Sequence, residues 1–327
     1  MIHRFSLRNA ARCNSAAIVT AFLQCPAFLS SCTEPGKAVV PARVEAQIYL
    51  QVTKNPTPAT VDLFFFEPDG AQNLDAYQQA ELSQGGSAVY GLSGAGPRRL
   101  VALSGLSGTR RDWYDIRNYG SLSKYTFSLE DDSPAAPLLV GETDIPDGAS
   151  RRVSLTLHPM LSCIRIRSVC ADFTGRSYAG QAFHNDQIYL SYAGTECFPV
   201  GGGDRLPVSW ANAGALDSAS VARFPHPEFL VQEGVGDIGP GRRYPECRLY
   251  CYPHPDLRLV LSGRVMGERC YYPIPLSGLE PGTEYALDIT LYRMGTPDPE
   301  TPADPGVFDA DAGTLPWEKW PAYDELY

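Results

Sequence analysis

Arg43-Val-Glu-Ala-Gln-Ile-Tyr-Leu-Gln-Val-Thr53 places Val44, Ala46, Ile48, Leu50 and Val52 at every second position, with Glu45, Gln47, Tyr49 and Gln51 between them. A period of two turns one side of an extended chain toward a core and the other toward water, so the stretch reads as a half-buried β-strand. The pattern recurs on either side of it. Thr60-Val-Asp-Leu-Phe-Phe-Phe-Glu67 is an apolar run that stops at Pro68-Asp69-Gly70, residues that preset the φ angles of a tight turn. Arg99-Leu-Val-Ala-Leu-Ser104 ends on Gly105, and Arg152-Val-Ser-Leu-Thr-Leu157 alternates again. Residues 109–130 are mixed, with room for a short helix between Tyr114 and Tyr125. Residues 42–157 are therefore expected to form one β-sandwich.

The second half continues in this style. Ser162-Cys-Ile-Arg-Ile-Arg-Ser-Val169 sets Ile164, Ile166 and Ser168 on one face and Arg165, Arg167 and Val169 on the other. Strand-like segments follow at 187–192, 246–252, 257–263 and 270–276, and a last one at 285–293 after the turn Leu279-Glu-Pro-Gly-Thr283. Pro273 and Pro275 require a sheet edge, because proline has no ladder donor. Residues 198–245 form a Gly/Pro-rich insertion with no readable period. No amphipathic helices alternate with the strands, which excludes a βαβ sheet and predicts an all-β chain with a second sandwich over 158–295. Residues 296–327 hold six Pro and eight acids against one base, Lys319, and read as an acidic, Pro-rich, solvated C-terminal tail. The aromatic end of that tail, Trp317, Trp320, Tyr323 and Tyr327, reads either as a contact site for a partner or as a tail tip folded over the protein's own surface.

The N-terminus carries a different signal. Arg4, Arg8 and Arg12 precede an apolar stretch, Ala16 to Leu29, of signal-peptide length and shorter than the ~20 residues that span a bilayer. It closes on Leu29-Ser30-Ser31-Cys32, a Leu three residues before a cysteine with small residues between, the pattern of a bacterial lipoprotein signal. Residues 1–31 are thus expected to be removed and Cys32 acylated, followed by a tether over 32–41. Several acyl chains hold a protein to a membrane at ~0.8 kcal/mol per buried CH₂. Loss of three Arg takes the formal charge from −10 to −13, so the lipid and not a basic patch must provide the attachment.

An acidic chain argues against a nucleic-acid partner. The chemistry-bearing motifs fail one by one. No H-E-x-x-H or close His/Cys cluster is present, Gly91-Leu-Ser-Gly94 and Gly105-Leu-Ser-Gly108 are each one residue short of a nucleophile elbow, and Gly201-Gly-Gly-Asp204 has no following Lys-Ser/Thr. His226 and His254 sit between prolines, His158 precedes Pro159, and His184 falls in a polar stretch read as a loop. The sequence therefore predicts no enzyme, no cofactor and no metal. Of the nine cysteines, Cys13 and Cys25 leave with the signal and Cys32 is acylated; Cys163, Cys170, Cys197, Cys247, Cys251 and Cys270 remain as candidates for disulfides in an oxidising compartment, with buried free thiols as the alternative. A rival function is a surface glycan- or ligand-binding lipoprotein in which Trp113, Trp210, Trp317 or Trp320 stacks on sugars.

With the lipoprotein signal, the strand spacing, Val61-Asp-Leu-Phe-Phe-Phe-Glu-Pro-Asp-Gly70 and Leu279-Glu-Pro-Gly-Thr-Glu-Tyr-Ala-Leu-Asp-Ile-Thr-Leu-Tyr-Arg-Met-Gly295 in view, the chain resembles the fimbrillin-like lipoproteins of Bacteroidales, and among them the FimB/Mfa-type anchor and minor subunits of type V fimbriae. The resemblance implies two tandem transthyretin-like β-sandwiches on a surface-exposed, lipid-anchored protein of the outer membrane. It implies fimbrial subunits as partners, joined by β-strand addition. It also implies cleavage after arginine in stalk subunits, for which Arg43, Arg98-Arg99, Arg110-Arg111 and Arg151-Arg152 are candidates. The tail beyond Gly295 departs from a stalk subunit and favours an anchor or terminal role.

Overall fold

The computed structural model describes residues 44–52, 60–81, 88–93, 96–105, 113–147, 152–201, 208–239, 245–276 and 278–316, nearly all of them strands and the turns between them. The first half supplies β1 (Val44–Val52), β2 (Thr60–Phe66), β3 (Leu74–Glu81), β4 (Ala88–Ser93), β5 (Arg98–Ser104), the one-turn helix α1 (Tyr119–Leu122), β6 (Phe127–Ser128), β7 (Leu139–Ile145) and β8 (Arg152–Pro159). One sheet in the order β3-β2-β5-β7-β8-β1-β4 holds all of these strands except β6. It rolls over on itself at the β7–β8 junction, where pairing is limited to Leu139 with Pro159 and Val140 with His158. On β1, Ile48 and Leu50 are buried with Leu63 and Phe65 of β2, Leu100 of β5 and Leu155 of β8.

Strand β2 is buried on both faces, which explains three consecutive phenylalanines. Phe65 joins that first core, whereas Phe64 and Phe66 point the other way into a second core. There Phe64 meets Trp113 edge-on at 5.1 Å and Phe66 meets Tyr119 of α1 at 5.7 Å. The hairpin from β2 to β3 turns where Pro68-Asp69-Gly70 predicts, with Gly70 at φ 63° and the Gln72 amide donating to the Asp69 carbonyl at 3.2 Å.

Gly105, the first glycine of a failed nucleophile motif, closes β5 at φ 86° with the Pro137 carbonyl in the space a side chain would need. Left-handed backbone costs a non-glycine residue about 1–2 kcal/mol, and overpacking adds about 1–3 kcal/mol. Gly105→Ala is expected to lower the unfolding free energy by roughly 3 kcal/mol in a urea titration, whereas Gly70→Ala, with open space around it, loses only the φ component.

The second half supplies β9 (Ser162–Ala171), β10 (Phe183–Ser191), β11 (Ala193–Cys197), β12 (Ser209–Ala211), the short helix α2 (Ser218–Val221), β13 (Val231–Ile238), β14 (Cys247–Cys251), β15 (Arg258–Val265), β16 (Glu268–Pro275), β17 (Thr283–Leu291) and β18 (Phe308–Pro316). They form sheets β14-β9-β17-β18, β13-β10-β15-β16 and β12-β11-β6, the last using a strand from the first half. Ile164, Ile166, Leu287 and Ile289 face Ile188, Leu190, Leu259 and Leu261 in the second core. The insertion that had no readable period contributes β12, α2 and β13.

Three sequence expectations are corrected. Alternation along β9 breaks at a bulge, because Ile166 lies opposite Leu287 and Ser168 opposite Asp288. The extra residue flips the faces, so Val169 and Ala171 join Ile164 and Ile166 inside while Ser168 is only half-buried. His184 lies on β10, not in a loop, with Nδ1 2.7 Å from Asp237. Residues 296–316 of the acidic segment are not a solvated tail. Thr296 bridges Tyr271 through two backbone bonds of 2.8 Å, and β18 pairs with β17 along its whole length. Composition alone concealed this, because Asp, Ala and Gly have low strand propensity and β18 is made by its partner.

Pro273 and Pro275 behave as their chemistry requires. Strand β16 is the edge of its sheet, and Tyr271, two residues before Pro273, donates outward to Thr296 while the alternate residues face β15. The missing N–H groups thus fall on the open side, where they block further strand pairing.

Candidate functional site

Each half closes in the same way: its first strand lies parallel and adjacent to one near its end, β8 in the first half and β17, the strand before β18, in the second. β1 pairs with β8 from Gln47↔Arg152 to Val52↔Leu157, and β9 pairs with β17 from Glu284↔Cys163 to Leu291↔Ala171. Parallel neighbours need a long crossover, and here almost the whole half lies between them. The turn into β17 forms as its sequence predicts: Gly282 sits at φ 73° after Pro281, and Thr283 donates back to the Glu280 carbonyl through both its amide and its hydroxyl. Alternation in β17 then buries Leu287, Ile289 and Leu291.

Strand β18 is added to this closed arrangement. It lies at the end of its sheet and pairs through β17 alone, in nine antiparallel pairs from Thr283↔Pro316 to Leu291↔Phe308. Its inward contribution is small, Phe308 and Ala310 at the margin of the core. Its other face carries Asp309 and Asp311, and Asp311 lies directly opposite Asp288. Like charges in that position oppose pairing. The repulsion is offset from the far side, where Arg167 holds Asp288 at 2.6 Å and Ser168 donates to it at 2.5 Å. The result is a strand held mainly by backbone hydrogen bonds, at an edge whose acids discourage uncontrolled pairing. No sequence signal announced it except the weak alternation of Phe308, Ala310 and Ala312.

Arg165 clamps the same sheet. Its guanidinium reaches Glu246, just before β14, at 2.7 Å and Glu284 of β17 at 3.2 Å, tying β9 to both neighbours. Glu284 is buried, and the Arg165 hydrogen bond holds the Glu246 carboxyl below its ordinary value.

The other candidate residues separate. Cys32, Arg43, Arg110-Arg111, Arg151, Trp317 and Trp320 lie outside the described residues. Arg98 and Arg99 sit on β5 between β2 and β7, and pair with Asp75 at 3.1 Å and with Glu142 and Asp144 at 3.6 and 3.5 Å. A protease needs an extended, accessible segment, so this pair is a poor cleavage site in the folded chain. Trp113 is packed between Phe64 and Tyr125, whereas Trp210 is exposed.

No disulfide joins the six cysteines of the second half in this structure. Their register keeps them apart. Cys163 lies opposite Tyr250 and Cys251 opposite Ser162, one position out of step and so on opposite faces. Cys247 faces Ile166, Cys170 faces Thr290, Cys270 faces Gly263 and Cys197 faces Phe127. Burial pushes the Cys251 and Cys270 thiols up, which makes them inert. Among the described residues, no group of three His, Cys, Asp or Glu is placed to hold a metal ion.

This architecture has solved counterparts. A proposed cell adhesion protein from Bacteroides eggerthii superposes with a TM-score of 0.61 at 16% identity, covering 86% of this chain and 98% of that one. The fimbrilin FimA of Porphyromonas gingivalis superposes with a TM-score of 0.54 at 12% identity, covering 84% and 97%. The fold is a fimbrilin fold. A fimbrial assembly protein from Parabacteroides distasonis shares it at a TM-score of 0.50, with 12% identity over 77% of this chain and 92% of that one. No protein-family model and no curated relative matches the sequence.

Proposed function

We propose that this chain is a fimbrial subunit of anchor or minor type, held at the outer membrane by acylated Cys32 and joined to neighbouring subunits by strand addition. The observation that carries the reading is β18, a nine-residue strand joined to its sheet through β17 alone. An edge that accepts one strand by backbone pairing has the geometry by which an extended segment of one subunit completes the sheet of another, the main chain supplying affinity and alternate side chains selectivity. The fold likeness to a fimbrilin over 84% of the chain supports the same reading. Leu29-Ser30-Ser31-Cys32 supports the lipid tether.

The test is made in the native cell envelope. Cys32→Ala is expected to move the protein from the membrane fraction to the soluble fraction, since removing the acyl chains removes the anchoring free energy. Crosslinking of the unaltered chain in intact cells is expected to attach it to a fimbrial subunit, and a chain ending at Gly306, without β18, to lose that product. Unchanged fractionation of Cys32→Ala overturns the anchor, and an unchanged crosslink in the shortened chain overturns strand addition through this edge.

A further inference from the structure

One aromatic cluster lies on the surface. Trp210 of β12 keeps 47% of its surface exposed and Val208, two residues earlier in the chain, keeps 44%. The indole meets the His254 ring at 5.0 Å, His254 stacks on Tyr192 at 6.1 Å, and the Arg258 guanidinium covers Tyr192 at 5.7 Å. At the rim Tyr192 donates its hydroxyl to the Glu300 carboxylate at 3.2 Å, and Arg258 donates to the Glu300 carbonyl at 3.0 Å. Four separate segments of the chain thus converge on a row of flat side chains with charged groups along one margin.

The row is built at a cost in backbone strain. Tyr192 and Asn212 are held at φ 55° and 54°, in the left-handed region that non-glycine residues seldom adopt. Asn212 is buried and fixes both: its carbonyl accepts from the Tyr192 amide at 3.0 Å and from Ser191 at 3.0 Å, and its side-chain amide donates to Leu190 at 2.8 Å. Pro253 and Pro255 restrict the backbone around His254, whose Nδ1 accepts from the Asp256 amide at 3.1 Å. That bond assigns the ring proton to Nε2 of the neutral imidazole. A cluster serving the core alone would bury its largest ring, yet here the rigid framework presents the indole to solvent.

We propose that the Trp210–His254–Tyr192 surface is a carbohydrate subsite for a non-acidic pyranose ring. Such a ring has an apolar C–H face that stacks on an indole, while its equatorial hydroxyls lie at the periphery, within reach of groups such as Asp256, Arg258 and Glu300. Two of these three are carboxylates on a chain of net charge −10, which disfavours uronic, sulfated or sialylated sugars. A single ring of about 12 heavy atoms is expected to bind with a Kd of roughly millimolar, so the site is weak singly.

The experiment titrates the full chain with maltotetraose, mannotetraose and chitotetraose, and with 3′-sialyllactose as the acidic probe. It reads saturation-transfer NMR and the indole ¹⁵N resonances of Trp210 and Trp113. At least one neutral probe is expected to saturate at about millimolar concentration and to shift Trp210 but not Trp113, with Trp210→Ala weakening binding about tenfold or more. His254→Ala is expected to weaken binding less, and Trp210→Phe to keep part of it, which preserves the test if the alanine variant does not fold. No saturation by any neutral probe, a response at Trp113 alone, undiminished binding by folded Trp210→Ala, or preference for the sialylated probe each overturns the assignment.

Discussion

Phe65→Ala is expected to destabilise the protein by about 3–5 kcal/mol, since truncating a fully buried phenylalanine removes its transfer free energy and leaves a cavity. The side chain has 0% exposure and lies at the centre of the first core, among residues of β1, β5, β7 and β8. In a unit of this size each kcal/mol shifts the melting temperature by roughly 2–4 °C, so calorimetry should show a fall of about 10 °C. Phe64→Ala is expected to cost a similar amount by emptying the other core, where the ring packs on Trp113 and Tyr77. The two positions adjoin in sequence but belong to different clusters. Phe65→Leu keeps most of the volume and should lose less than about 1.5 kcal/mol. A loss below about 1 kcal/mol for Phe65→Ala contradicts a filled sandwich interior.

Arg165→Ala is expected to destabilise by about 3 kcal/mol, most of it from Glu284. That carboxylate is 8% exposed, and removing its guanidinium leaves a buried charge without its counter-ion. Glu246 adds less, because it is partly exposed and Arg248 also reaches it at 2.9 Å. Arg165→Met with Glu284→Leu should recover most of the loss, since replacing a buried pair by apolar groups is often neutral. A double variant as unstable as Arg165→Ala would show that the pair contributes more than the cost of orphaning one partner. The pH dependence has a definite sign. The Glu246 pKa is lowered in the folded chain, chiefly by the Arg165 hydrogen bond, so its contribution is present above the unfolded value of 4.5 and is lost as pH falls through the lowered folded value. Urea titrations between about pH 5 and pH 2 should therefore show a flatter acid limb for Arg165→Ala than for the parent chain.

Two classes of residue explain how far the sequence could be read. Where a side chain's chemistry acts on its own backbone, the reading carried over: Pro68-Asp69-Gly70 and Pro281-Gly282 turn, Pro273 and Pro275 lie on an edge, and a short helix falls between Tyr114 and Tyr125 as α1. Where the outcome depends on a partner distant in the chain, it did not. The bulge at Arg167-Ser168 overturned the face assignment of Val169, and β18 replaced a solvated tail with a paired strand. The aromatic candidates divided for the same reason. Trp113 and Trp210 are alike in sequence, yet one packs on Phe64 and the other is exposed beside His254.

By itself the sequence determined that this is a β protein, because alternation and turn chemistry are local properties of the backbone and need no partner. The expectation of acylation at Cys32 likewise rests on consecutive residues, Leu29-Ser30-Ser31-Cys32, and on no partner distant in the chain. Only the tertiary structure decided the parallel closure of β1 on β8 and of β9 on β17, the double burial of β2, the separate register positions of the six cysteines and the edge position of β18. Each is a matter of register or pairing between segments up to more than a hundred residues apart, and a shift of one residue there exchanges inside for outside without changing a single local preference.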